Sequence, residues 1–216
     1  MHLLSINQGE ERPLNAKAIG KTGIFKRPVT GPVEITLNGL AGDVICDVEH
    51  HGGADQALYI YGTPDYDWWS QTLERELAPG TFGENLTITE LESAQLNIGD
   101  RLYIGSVIVE VTSPRIPCVT LATRMGDPAF VKRFRAAERP GLYCRVIQPG
   151  WVQAGEPVSV EHYLGETISA LESFRDYYAK ELSEAQLRRH LAAPIAIRDR
   201  LEKEKQLEKL VRQNEI

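Results

Sequence analysis

The sequence is poor in cysteine, and the cysteines it has form no pattern. Cys46, Cys118 and Cys144 are odd in number and widely spaced. Neither a disulfide framework nor a paired Cys-x-x-Cys zinc site fits them, so a reducing cytoplasm is the expected compartment. No apolar run approaches the ~20 residues that span a bilayer, so no membrane association is expected. Met1-His2-Leu3-Leu4-Ser5-Ile6 lacks a basic leader and a long apolar region, and it reads as a first strand rather than a signal peptide. A phosphate loop is missing too. Gly20-Lys21-Thr22 lacks the Gly-x4-Gly-Lys-Ser/Thr spacing, so no nucleotide is assigned from it. An excess of positive charge is also absent: Lys and Arg number 24 against 30 acids, a net charge of −6, which argues against a general nucleic-acid binder.

What remains is a soluble globular composition over 216 residues, enough for one substantial core or one domain with a small appendage. Positive charge is nevertheless concentrated in one place. Residues 12–27 carry Arg12, Lys17, Lys21, Lys26 and Arg27 without an acid. This run is either a solvated loop face or the rim of an anion site, and convergence with another cation would favour the rim.

Along the chain, residues 3–7 and the alternating Val33, Ile35 and Leu37 read as half-buried strands. Glu49-His50-His51-Gly52-Gly53-Ala54-Asp55 follows. Adjacent histidines rarely share a face, so at most one points into a given pocket, and Gly52-Gly53 offers free N–H groups as an anion nest. A zinc site of His50 or His51 with Cys118 and Asp55 has no diagnostic spacing. Thr63-Pro64-Asp65 starts a helix expected to run to about Leu77. Phe82, between glycines, reads as a loop anchor, and Glu84 and Asn85 either hold the loop backbone or contact a ligand.

A hairpin with strands at 101–104 and 107–111 turns at Gly105-Ser106. It leads into Thr112-Ser113-Pro114-Arg115-Ile116-Pro117-Cys118. Two prolines flank Arg115-Ile116 and make a stiff, non-helical connector that holds an arginine and a cysteine at fixed separation. Such a loop at a strand end is a place for working residues, although a Pro-rich turn with a buried thiol is the plain alternative. Cys144 alternates with Val146 on a later strand and reads as core. The short, turn-separated strands favour a barrel-like sheet over a parallel one. After Thr167 the period changes, and three amphipathic helices are expected at 168–180, 183–191 and 195–212. Ser183 with Gln186 forms a capping-box pattern.

In this order, Gly42-Asp43, His51-Gly52-Gly53, Phe82-Gly83-Glu84-Asn85-Leu86, Ile98-Gly99-Asp100, Pro114-Arg115-Ile116-Pro117-Cys118 and Gly141-Leu142-Tyr143 resemble the MOSC domain family, named after the C-terminal part of molybdenum-cofactor sulfurases. The chain is more closely similar to the bacterial 6-N-hydroxylaminopurine resistance proteins that carry a C-terminal three-helix domain.

The resemblance implies a mainly β, MOSC-type β-barrel with peripheral helices over residues 1–165 and a small all-α domain over 166–216. It implies molybdenum cofactor (molybdopterin), with Cys118 as the molybdenum ligand and a catalytic residue, and His51 as its catalytic companion. Lys21, Lys26, Arg27, Gly52, Gly53, Asn85 and Arg115 would bind the cofactor. A generic association with pyridoxal phosphate binding also comes with the family. The implied reaction is reduction of N-hydroxylated compounds such as 6-N-hydroxylaminopurine to the amine, a detoxification. No flavin, haem or iron–sulfur motif is visible, so a separate electron-donor reductase is expected as partner. The protein would act on small molecules as a monomer or homodimer. The alternative is a non-catalytic molybdopterin-binding or sulfur-carrier module using Cys118.

Overall fold

The structure, a computed structural model, describes residues 1–16 and 18–214. Lys17 of the cationic run lies outside the described residues, as do the side chains of Glu49, His50 and Asn214. The chain opens with β1 (Leu3–Gln8) and the short strands β2 (Arg12–Pro13), β3 (Lys21–Thr22), β4 (Arg27–Pro28), β5 (Val33–Thr36) and β6 (Gly39–Leu40). One helical turn, α1 (Val48–His51), leads to β7 (Leu58–Gly62) and α2 (Thr63–Thr72). Strands β8 (Leu86–Ile88), β9 (Arg101–Ile104) and β10 (Val107–Pro114) precede α3 (Val119–Met125) and α4 (Phe130–Ala137). Then come β11 (Leu142–Gln148), β12 (Gly150–Val152) and β13 (Val158–Glu161), and the tail helices α5 (Ala170–Tyr177), α6 (Glu184–Ala192) and α7 (Ile197–Asn214).

The main sheet has eight strands in the order β13-β9-β10-β11-β7-β8-β1-β4, with only the β7–β8 pair parallel. It is not the closed barrel expected. The sheet curls until His2 bridges Pro157 and the Leu3 N–H donates to the Glu156 carbonyl at 2.9 Å, but its edge strands β13 and β4 do not pair. Strand β4 is two residues long and ends in Pro28, which has no N–H with which to extend a ladder. Helix, at 32%, exceeds strand, at 27%, so the fold is a mixed sheet with helices rather than mainly β.

Period-2 alternation sorts the sheet into two chemically different faces. From β7, Leu58 and Ile60 enter one cluster while Tyr59 and Tyr61 enter the other. From β11, Leu142, Cys144 and Val146 join the aliphatic side and Tyr143 the aromatic side. Helices α2 and α4 close over the aromatic face. Trp69 stacks on Phe134 with ring centroids 5.9 Å apart, and Phe82, fully buried, meets Tyr61 at 4.7 Å. The candidate site stands on this face.

Several local expectations change. Helix α2 stops at Thr72, short of Leu77. Its N-cap is Gly62, because the Thr63 hydroxyl is engaged by the Glu90 N–H at 3.1 Å. Strand β5 ends at Thr36, which closes a turn onto the Gly39 carbonyl at 3.0 Å and leaves Leu37 exposed. The capping box of Ser183 and Gln186 forms as expected. The tail helices share the core of the sheet: Ile168, Ala170 and Ile195 join the aliphatic cluster and Phe174 joins the aromatic one. Arg145 Nη2 ties the last connection down through the carbonyls of Pro194 and Ile195, at 3.0 and 3.1 Å.

Candidate active site

Strand β10 runs on to Pro114, so the stiff connector is shorter than expected and begins at Arg115. Cys118 follows in extended geometry (φ −132°, ψ 174°) immediately before α3. His51 arrives from the other direction at the end of α1. A Cβ on Gly52 would lie 2.8 Å from Val48 Cγ1, and Gly53 has a φ of +96°, so both positions need glycine for the chain to turn here. The result is close approach of His51 Nε2 to Cys118 Sγ at 3.6 Å, with His51 Nδ1 3.4 Å from the Tyr143 hydroxyl.

Burial raises the pKa of the Tyr143 phenol, which keeps it a donor. Its O–H then donates to Nδ1 and leaves the imidazole proton on Nε2, facing the sulfur. Burial pushes the Cys118 thiol up, but the hydrogen bond from His51 and the charge of Arg115 outweigh that and bring it down to about 5. Cys118 is therefore a thiolate at neutral pH. Cys144 is the contrast: full burial and the nearby Glu110 charge hold it well above its ordinary value, and the Arg145 charge offsets them only in part.

Arg115 is 4% exposed. Its guanidinium lies over the Tyr59 ring at 5.3 Å and the Phe134 ring at 5.8 Å, while its Nη1 is buried without a hydrogen-bond partner. A buried cationic donor left unpaired is costly, so this atom is the site's clearest demand for a ligand.

Two cavities meet at the Cys118–His51 pair. One, of about 90 Å³, takes in Lys21, Lys26, Asn85 and Arg115. The other is an open groove of about 880 Å³ between the connector and the tail helices. Both are lined by His51, Gln56, Cys118 and Tyr143.

Of the expected site residues, His51, Cys118, Arg115, Lys21, Lys26 and Asn85 thus come together, while Arg27, Gly52 and Gly53 do not line the cavity. Arg27 is exposed on the edge strand, and the two glycines position His51 instead. The cationic run is therefore divided. Arg12, with Arg124, packs over the Phe25 ring at 5.7 and 4.8 Å. Lys21 pairs with Glu11 at 2.8 Å. Lys26 is buried in an ion pair with Asp43, and burial lowers its pKa. Asp43 also accepts from the Gly9 N–H at 2.7 Å and from Asn85 Nδ2 at 2.9 Å. Asn85 Oδ1 in turn accepts the Tyr59 N–H at 3.1 Å, so this residue both holds backbone and lines the cavity. Glu84 is the loop's anchor, accepting from the N–H groups of Gly80 and Phe82 at 2.6 and 3.2 Å.

Sequence reasoning missed Tyr143, Tyr59, Gln56 and Ser113 as cavity residues. The signal for Tyr143 was available: it alternates with Leu142 and Cys144, so placing those two in the core puts Tyr143 on the other face. Among the described residues, no three His, Cys, Asp or Glu gather as a metal site, and the zinc arrangement does not form.

The segment that carries this site is matched by a family model. The MOSC domain model matches residues 47–159, just over half of the chain, and the chain belongs to that family. It is 36% identical over 155 residues to "Uncharacterized protein YflK" of Bacillus subtilis, covering 71% of this chain and 70% of that one. Protein YiiM of Escherichia coli is 30% identical over 143 residues, 64% of this chain and 63% of its own length. A Gibberella moniliformis protein named "Reductase" is 33% identical over 147 residues, 64% of this chain, but the match spans only 25% of its length. Among solved structures, YiiM of Geobacillus stearothermophilus superposes with a TM-score of 0.80 at 26% identity, covering 95% of this chain and 98% of that one. No helix of the described residues is long and apolar enough to cross a membrane.

Proposed function

We propose that the protein is a molybdenum-cofactor-dependent reductase of N-hydroxylated compounds such as 6-N-hydroxylaminopurine. The observation that carries this is the Cys118 thiolate, 3.6 Å from a proton-bearing His51 nitrogen and beside an unpartnered Arg115 donor. The residues fit the cofactor. A soft thiolate suits molybdenum, and Arg115 Nη1 suits an anionic pterin substituent. Cys118 would be the residue that ligates the metal, and Arg115 and Lys21 would hold the anionic substituent from the same cavity.

When bound, the cofactor supplies the electron pair that, with two protons, converts R–NH–OH to R–NH2 and water. The chain's own residues do the rest. Arg115, assisted by Lys21, holds the anionic group, while Lys26 and Asn85 fix the Asp43 side of the cavity. His51 Nε2 keeps one proton at the thiolate and releases it to the departing hydroxyl, and Tyr143 holds the ring in the required tautomer. The second proton enters from solvent through the groove. Electrons come from a separate redox protein in the cytoplasm, and residues 166–216 form a helical unit docked into the core of a catalytic unit of residues 1–165.

The test is purified protein assayed for molybdenum and pterin beside dithionite-driven loss of 6-N-hydroxylaminopurine. Stoichiometric cofactor with conversion to adenine is the expected result. Cyanide-releasable sulfur without molybdenum would replace the reductase with a Cys118 sulfur carrier, to which a low-pKa thiolate also lends itself.

A further inference from the structure

The two cavities at Cys118 differ in chemistry. The smaller carries three cationic side chains, Lys21, Lys26 and Arg115, against one carboxylate, Asp47. In the groove, four cationic side chains, among them Lys180 and Lys203, are matched by four carboxylates, among them Asp176 and Glu202. Balanced charge gives no advantage to a polyanion. Besides the four residues at the junction, the two cavities share no lining residue.

The groove also holds unmet hydrogen-bonding capacity. Ser113 lines it, is 4% exposed, and its Oγ is buried without a partner. Gln56 Oε1 at the junction is likewise buried and unpartnered, and as a pure acceptor it requires a donor. Pro114, Ile116 and Pro117 give this side a stiff apolar surface, and Tyr177 stands on the tail side, 59% exposed. A flat molecule with polar edges meets all of these demands together. The groove's volume lies within the ~300–1,000 Å³ range of small-molecule sites.

We propose that this groove is the substrate site: a slot for a neutral, N–H-bearing aromatic heterocycle, bound by Gln56 and Ser113 and walled by Tyr177 of the helical tail. Cofactor and substrate would then reach the Cys118–His51 pair through different cavities. The tail becomes a substrate wall, a role that no part of the cofactor pocket requires of it. Only the orientation, with the N–OH group turned toward Cys118, rests on the proposed reduction; occupancy of the groove stands apart from it.

The test is calorimetric titration of the full-length protein with adenine and with ATP, which needs no turnover, alongside pterin content. Adenine should bind, and ATP should bind no more tightly. Ser113→Ala and Tyr177→Ala should each weaken adenine ~10-fold, the factor that ~1.4 kcal/mol represents, with pterin content unchanged. Trp151→Ala, on an exposed ring of β12 outside the groove, should leave adenine binding as it was. Should Ser113→Ala fail to fold, the exposed Tyr177 decides the matter alone. Absent adenine binding, tighter ATP binding, or an effect of Trp151→Ala equal to that of Tyr177→Ala would overturn the groove as substrate site. Adenine binding without reduction of the hydroxylated base would overturn the reductase and leave the groove standing. Reduction with a KM indifferent to Tyr177→Ala would do the reverse.

Discussion

Cys118 and His51 lie 67 residues apart in sequence, yet Sγ and Nε2 stand 3.6 Å apart. Burial raises the Cys118 thiol, while His51 and then Arg115 bring it down to about 5. Because the native value is depressed, the folded state gains from the thiolate above the unfolded thiol's ordinary value. That gain is lost as pH falls toward about 5. Alkylation of Cys118 by iodoacetamide should therefore be nearly flat from about pH 6 to about pH 8. His51→Ala should move the midpoint upward, and buried Cys144 should stay unlabelled until the protein unfolds. A wild-type rate climbing ~tenfold per pH unit across that window would contradict the pairing.

Arg115 carries an unpartnered buried Nη1 but packs on Tyr59 and Phe134 through its flat faces. Arg115→Met keeps most of the packing volume and removes the donor. Pterin content of the purified protein should fall, and the melting temperature at neutral pH should fall with it, since the Cys118 thiolate loses the cation beside it. Equal pterin retention would take Arg115 out of the docking role.

Lys26 and Asp43 form a buried pair behind the cavity wall. Lys26→Met should cost ~3–5 kcal/mol in urea unfolding, because Asp43 is left buried without its cation. The loss should be toward the low end of that range, since the N–H of Gly9 and Nδ2 of Asn85 remain on the carboxylate. A neutral result would show that those two hydrogen bonds suffice.

How much of this was legible beforehand depends on the range of the interactions. The connector from Pro114 to Cys118 was readable because proline geometry is local, and the Ser183–Gln186 cap for the same reason. Barrel closure was not: it depends on whether β13 meets β4 across the whole sheet, and no local pattern encodes that. Arg27 and Lys26 are neighbours in sequence, yet one is exposed and the other buried on Asp43. A charge run does not reveal which of its members turns inward. Ser113 belongs to the connector in sequence, but that its hydroxyl is unpaired follows only from the tail helices closing a groove beside it.

Phe174 joins the tail to the aromatic face, fully buried and meeting Phe134 at 6.5 Å between ring centroids. Phe174→Ala should cost ~3–5 kcal/mol. Removing residues 168–216 should yield aggregating protein, because the side of the sheet that Ile168, Ala170 and Ile195 cover would be exposed. A soluble, cooperatively unfolding 1–167 fragment would mean that the tail is an accessory.

The most direct test of the account is dithionite-driven turnover of 6-N-hydroxylaminopurine by wild type and Cys118→Ser, each assayed for bound molybdenum and pterin. A serine hydroxyl stays protonated where the thiolate does not and is a poor ligand for a soft metal. Turnover per bound pterin should fall by at least the ~100-fold that loss of a supporting metal-site residue can cost, while Arg115 retains much of the pterin. Undiminished turnover in molybdenum-loaded Cys118→Ser would contradict the central claim that this thiolate is where the chemistry is held.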